Sequence, residues 1–203
     1  MEVGALNRKF ETIELTLSSM FVVLIAVGAN ITSMIPGLVV GGVPITLQTF
    51  FAILAGLILG SRLGVLTTSA YTFIGLVGIP VFAQFGAGLG ILIKPTFGFI
   101  LSFILAAYVV GKMVEKKNKV SDFIMAALVG TVINYVVGTN WMYFSYKFWA
   151  DAPEGFTYGM AWLWMLAPLP KDIILAVFAG TMAHRLKVNV LSKSRFKHLK
   201  LGA

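Results

Sequence analysis

The 203-residue chain contains no cysteine, two histidines and only eight acidic residues. Without cysteine there are no disulfides, no thiolate nucleophile and no cysteine-ligated zinc or iron–sulfur cluster. His184 and His198 both sit near the basic C-terminus, which argues against an imidazole metal site, and no metal is expected. Charged residues are 12% of the chain, against about 25% in an ordinary soluble domain. Hydrophobic residues are 58% and the mean hydropathy is +0.90. So little polar surface cannot cover a water-exposed globule, which excludes a soluble enzyme, a disordered chain and a coiled coil. The expected class is an all-α integral membrane protein in a lipid bilayer.

Energy-yielding and catalytic motifs are also missing. A phosphate loop, GxxxxGK[ST], cradles phosphates with backbone amides and a lysine. The only Gly-Lys pair is Gly111-Lys112, followed by Met113, with Ala106 where the first glycine would stand. There is no HExxH, no Ser–His–Asp set and no carboxylate pair inside an apolar run. No catalytic residue is assigned, and the chain is not expected to be an enzyme.

What is present is a series of long apolar stretches. Residues 15–61 carry no Asp, Glu, Lys or Arg. About 20 apolar residues cross a bilayer, so this stretch holds two spans and a connection, broken at Pro36-Gly37 and Gly41-Gly42-Val43-Pro44. The pattern predicts six helices, at about 13–35, 45–61, 63–80, 96–112, 122–146 and 169–187, in one membrane domain covering 1–203. A short interfacial segment with Trp162 and Trp164 precedes the sixth, since tryptophan favours the membrane–water boundary. Between helices three and four runs a Gly-rich connection expected to be apolar yet irregular.

The net charge of +8 does not indicate a nucleic-acid partner, because the basic residues cluster between the neutral runs. With the N-terminus inside, all Lys and Arg except Lys94, Lys147 and Lys171 fall on inner segments, 13 of the 16. That bias places both termini in the cytoplasm and requires an even number of spans. Glu2, Glu11 and Glu14 around Arg8 and Lys9 make a poor signal-peptide start, so the N-terminus is expected to be retained.

Charges at membrane depth carry the functional signal, because each costs about 2.5–3.5 kcal/mol and needs a partner, water or a ligand. Lys94, Lys171 and Asp172 qualify. Each also has a plain reading: Lys94 and Lys171 as interfacial anchors, and Asp172 as an acid favouring a helix N-terminus. Gln84 either satisfies local backbone groups or faces a ligand. Gly56, Gly60 and Gly64 at four-residue spacing allow close helix packing.

The blocks VPITLQTF (43–50), LAGLILG-x-R-x-G (54–64), GLVGIPVF (75–82) and KPTFGFILSFILAAYVVG (94–111) resemble the BioY family. A looser PxDxxxA pattern follows at Pro170, Asp172 and Ala176. The family comprises the biotin-specific substrate-binding subunits, or S components, of energy-coupling factor transporters. The resemblance implies a six-helix fold with cytoplasmic termini in the bacterial plasma membrane. It implies biotin capture from outside, and partners in a transmembrane coupling subunit and two ATPases. It also implies that the binding subunit topples in the membrane on meeting the coupling subunit. No cofactor is implied beyond biotin as transported ligand; the alternative is an S component for another small vitamin.

Carried onto this chain, the resemblance makes Asp172 the acceptor for the ureido N–H groups and puts Gln84 near the ring system. Phe50, Tyr71, Phe82 and Phe85 would supply apolar walls. Where the family commonly has a lysine three residues after the acid, this chain has Leu175, while Lys94 and Lys171 replace usual glycines. Lys94, or alternatively Lys171, is therefore the expected partner of the biotin carboxylate. The coupling-subunit contact on helix one reads Ser19-xxx-Val23 or Val22-xxx-Ala26.

Overall fold

A computed structural model describes residues 11–31, 39–40 and 42–191, the side chains of 190 and 191 excepted. It contains six helices: α1 (Thr12–Asn30), α2 (Gln48–Leu76), α3 (Phe97–Val114), α4 (Val120–Phe148), α5 (Tyr158–Met165) and α6 (Leu169–Leu186). Two-residue strands, β1 (Val39–Val40) and β2 (Val43–Pro44), pair antiparallel just ahead of α2. Helix one is expected to about residue 35; α1 ends at Asn30, and 32–35 lie outside the described residues. At its start the Glu11 amide donates to the Glu14 carboxylate at 3.0 Å, satisfying one of the orphan N–H groups of a first turn.

The 29-residue α2 is two spans, not one. Gly60 sits at φ 81°, a conformation that glycine alone enters without strain. A Cβ on Gly64 would lie 3.0 Å from the Gly56 Cα, and the Gln48 amide reaches the Tyr71 hydroxyl at 2.6 Å. Along a straight helix those last two residues would stand about 35 Å apart. The chain therefore reverses at Gly60 into antiparallel arms, 48–59 and 61–76. The turn falls at Gly60 rather than at Arg62, because the residue with the positive φ marks the reversal. With α1, α3, α4 and α6 this makes six spans, while α5 meets α6 at a 53° bend.

Close packing of α3 on the hairpin explains the glycine spacing. A Cβ on Gly56 would come 2.7 Å from the Ala107 carbonyl oxygen, and one on Gly111 would come 2.3 Å from the Ser61 nitrogen. Backbone contact of this kind is how small residues hold helices together in lipid. Around it Ile53, Leu57, Val110, Phe123 and Ala179 form the buried core, with α6 closing against α2 and α4. Leucine, valine and phenylalanine elsewhere on α1, α4 and α6 remain exposed, as a surface facing hydrocarbon requires.

The hairpin end of the bundle is closed by polar contacts. The Ser61 hydroxyl and amide both donate to Glu115, and Lys112 pairs with Glu115 at 3.0 Å. Burial alone would raise the Glu115 carboxyl, but the Ser61 hydroxyl, Lys112 and the Ser61 amide together hold it below the usual carboxylate range. Lys187 donates to the carbonyls of Val114 and Lys117, at 3.0 and 3.3 Å, capping the end of α3.

Candidate functional site

At the opposite end lies a cavity of about 190 Å³. Its walls come from β2 and the turn into α2, from the irregular connection 77–96, and from α3, α4 and the start of α6. The connection is irregular because its backbone is forced to be so. Gln84 and Phe85 adopt φ 58° and 54°, Gly88 adopts 84°, and the Gly88 amide is tied back to the Gly75 carbonyl at 2.8 Å. Two short 3₁₀ turns, Ala83–Phe85 and Leu89–Ile93, are the only regular pieces in it. Asn30 fastens the first turn to α1, accepting from the Phe85 amide at 2.7 Å while donating to the Ala26 carbonyl at 3.0 Å.

One wall carries a buried carboxylate. Asp172, in the first turn of α6 after Pro168 and Pro170, is 8% exposed. Its Oδ1 meets the Lys171 ammonium at 2.7 Å and its Oδ2 accepts from the Tyr135 hydroxyl at 2.8 Å. Consecutive helical residues do not normally face each other. Here the lysine turns back in the first turn of the helix and also donates to the Thr46 carbonyl at 2.6 Å, pinning α6 to the turn before α2. A buried acid without such partners would be costly. Two partners still leave acceptor capacity, since a carboxylate offers about four lone-pair sites.

A second layer fixes the wall from behind. Thr46 donates to the Gln48 amide oxygen at 3.1 Å, Gln48 donates to the Tyr71 hydroxyl, and Tyr71 donates to the Val81 carbonyl at 3.0 Å. On the other side Asn134 donates to the Ser102 hydroxyl at 2.6 Å and to the Phe99 carbonyl at 3.2 Å, while accepting from Thr49 at 3.2 Å. Bonded through both nitrogen and oxygen, these amides are held in orientation and set the shape of the wall, with one Gln48 N–H to spare.

Of the residues singled out from sequence, Asp172, Lys171, Lys94, Gln84 and Phe82 line the cavity together. Among the described residues the Lys94 ammonium has no hydrogen-bond or ion-pair partner. Three aromatics do not line it. Tyr71 is fully buried one layer behind, edge-on to Phe82 at 5.5 Å. Phe50 is packed in the core and stacks on Phe178 at 5.9 Å. Phe85, turned out by its positive φ, is 61% exposed. Ile91, Phe99 and Phe103 supply apolar wall in their place. Leu175 packs against the core, so no cation arises there.

Thr46, Gln48, Thr49 and Tyr135 were not anticipated. The signal for them was polar residues recurring in otherwise apolar runs, T-x-Q-T and N-Y, which lipid-facing positions would not tolerate. On α1 the two candidate contact registers separate. Ser19 and Val23 are exposed, whereas Val22 and Ala26 are packed against the aromatic cluster around Tyr71 and Phe82. Among the described residues no group of three His, Asp or Glu gathers to hold a metal.

A bundle of membrane-crossing helices with a small, part-polar cavity at one end defines a multi-pass binding protein of the membrane. A sequence profile described as the BioY family matches residues 5–191, and the chain belongs to that family. It is 42% identical over 179 residues to the "Putative biotin transporter BioYB" of Bacillus subtilis, covering 87% of this chain and 88% of that one. It is 35% identical over 176 residues to the "Biotin transporter BioY" of Thermotoga maritima, covering 86% and 95%. Among solved structures, the S-component for biotin from an ECF-type ABC transporter superposes with a TM-score of 0.77. It covers 95% of this chain and all of that one at 21% identity, so the fold is shared.

Proposed function

We propose that this chain is a high-affinity biotin-binding subunit for uptake, a binding protein and not an enzyme. One observation carries the reading: the Asp172 carboxylate, buried and held by Tyr135 and Lys171 in the wall of a largely apolar cavity. A fixed anionic acceptor suits the two ureido N–H groups of biotin, and charge-assisted bonds of that kind are the strong ones. Gln84 stands beside the ring system, and Phe82, Phe99 and Ile91 offer apolar surface to the tetrahydrothiophene and the aliphatic chain. Lys94 meets the valerate carboxylate, because it lines the cavity without a partner among the described residues, whereas Lys171 is engaged by Asp172 and Thr46.

The cavity faces outward and both termini lie in the cytoplasm, as the Lys and Arg distribution supports. The whole chain acts as one membrane domain. Uptake is driven by a transmembrane coupling subunit with two ATPases, which the exposed Ser19–Val23 face of α1 contacts. Calorimetric titration of the detergent-purified chain with biotin, thiamine and riboflavin tests the ligand. Saturable binding of biotin alone is expected. Silence with biotin from a folded, monodisperse sample overturns the reading in favour of another small vitamin.

A further inference from the structure

A second hollow, of about 350 Å³, lies between α4, α5 and α6. It differs in kind from the first. Its lining is aliphatic apart from Thr131, Tyr135 and Trp162. The Thr131 hydroxyl is spent on the Ala127 carbonyl of its own helix, and the Tyr135 hydroxyl on Asp172. No free polar side-chain group therefore faces the hollow except the Trp162 indole N–H, which has no acceptor among the described residues. A polar ligand has nothing to bind there. The hollow is open on the lipid side, where Val132 and Leu166 are 60% and 57% exposed. It follows α4 from Leu128 to Val136, about 12 Å of rise, and its lining includes Trp162, a residue type that marks the headgroup level.

Tyr135 and Met165 line both this hollow and the cavity that holds Asp172. Two side chains thus stand between a polar pocket and the bilayer, and both are buried, Tyr135 at 8% and Met165 at 3% exposed. The geometry points to a phospholipid acyl-chain site in this groove, with the chain seated against Tyr135 and Met165 and the Trp162 N–H donating to the lipid's ester region. The occupant packs against the outer side of that partition, behind the Tyr135 hydroxyl that bonds Asp172. The lipid site itself does not depend on what fills the polar cavity. Its effect on that cavity rests on the biotin reading.

The test uses the full chain in nanodiscs of a phosphatidylcholine carrying a photoreactive group in mid-chain. After illumination, peptides containing Val132, Val136 and Leu166 are expected to carry at least fivefold more label than those containing Val23 or Phe73. Those two are 60% and 68% exposed and do not line this groove. Val132→Trp or Val136→Trp, either of which fills the groove from an exposed position, abolishes that excess. Equal labelling of all exposed positions, or an excess that survives both substitutions, overturns the site. Separately, stripping lipid with a short-chain detergent weakens biotin binding severalfold, and adding phosphatidylcholine back restores it. Unchanged affinity removes the coupling while leaving the labelling result intact. No biotin binding in either condition counts against the biotin reading and not against the lipid site.

Discussion

The two ends of the bundle handle polar groups in opposite ways. At the hairpin end, Ser61, Lys112 and Glu115 consume one another, and Lys187 is spent on backbone carbonyls. Glycines bring α2 and α3 into backbone contact there, leaving no space. At the cavity end, a Gly-rich connection keeps two non-glycine residues at positive φ, a lysine lacks a partner among the described residues, and an acid retains acceptor capacity. Satisfied polar groups and tight packing make one end a fixed frame. Incompletely satisfied groups around a void make the other a place for a guest.

The sharpest way to break this contrast is to spoil the frame. Gly111→Val drives a side chain into the Ser61 backbone and is expected to cost on the order of 3 kcal/mol, seen as a lowered Tm in detergent or as loss of monodisperse protein. Asp172→Asn removes the charge from the wall, and a bond to a charged group is worth about 1.5–3 kcal/mol. Biotin affinity should fall by about two orders of magnitude with the melting temperature little changed. If binding survives, Asp172 belongs to the frame and not to the site. Lys94→Ala should weaken the free acid about tenfold, on the order of 1.4 kcal/mol, and leave the methyl ester of biotin unaffected. The same comparison in Lys171→Ala decides between the two lysines.

The smallest effect sharpens the frame's electrostatics. Because Glu115 is held below its ordinary range, its contribution to stability is fully present above the unfolded value of about 4.3 and is lost as pH falls through the depressed folded value. Ser61→Ala removes the hydroxyl contact to Glu115 and leaves the amide contact, so the protein should melt slightly lower at neutral pH. The difference from the parent should fade on acidification, and a difference that persists at low pH would show that the hydroxyl acts through packing instead.

Much of the architecture was legible because lipid enforces a simple rule. Charge-free runs mark spans, and the boundary expected between helices two and three, at about residue 62, lies two residues from the reversal at Gly60. Trp162 and Trp164 similarly announced α5. The site was only half legible. Asp172, Lys171, Lys94 and Gln84 stood out because a charge or an amide in an apolar setting needs a reason. Phe50, Tyr71 and Phe85 did not end in the cavity wall, because an aromatic ring is at home in core, wall or lipid and its spacing does not choose among them. Tyr135 did not stand out, because a phenol in an apolar run carries no charge that needs a reason. Tyr135 does bond across helices, but to the one acid in the wall.

The Gly60 reversal leaves two unusually brief arms. At 1.5 Å per residue, 48–59 rises about 18 Å and 61–76 about 24 Å, while the hydrocarbon layer is about 30 Å thick. The other spans run from 18 to 29 residues, so the deficit is greatest at these two arms, and the bilayer must pinch there or the whole bundle must lean. Each ångström of hydrophobic mismatch costs a fraction of a kcal/mol. A thicker, long-chain-rich bilayer would therefore strain these two arms more than the longer helices beside them.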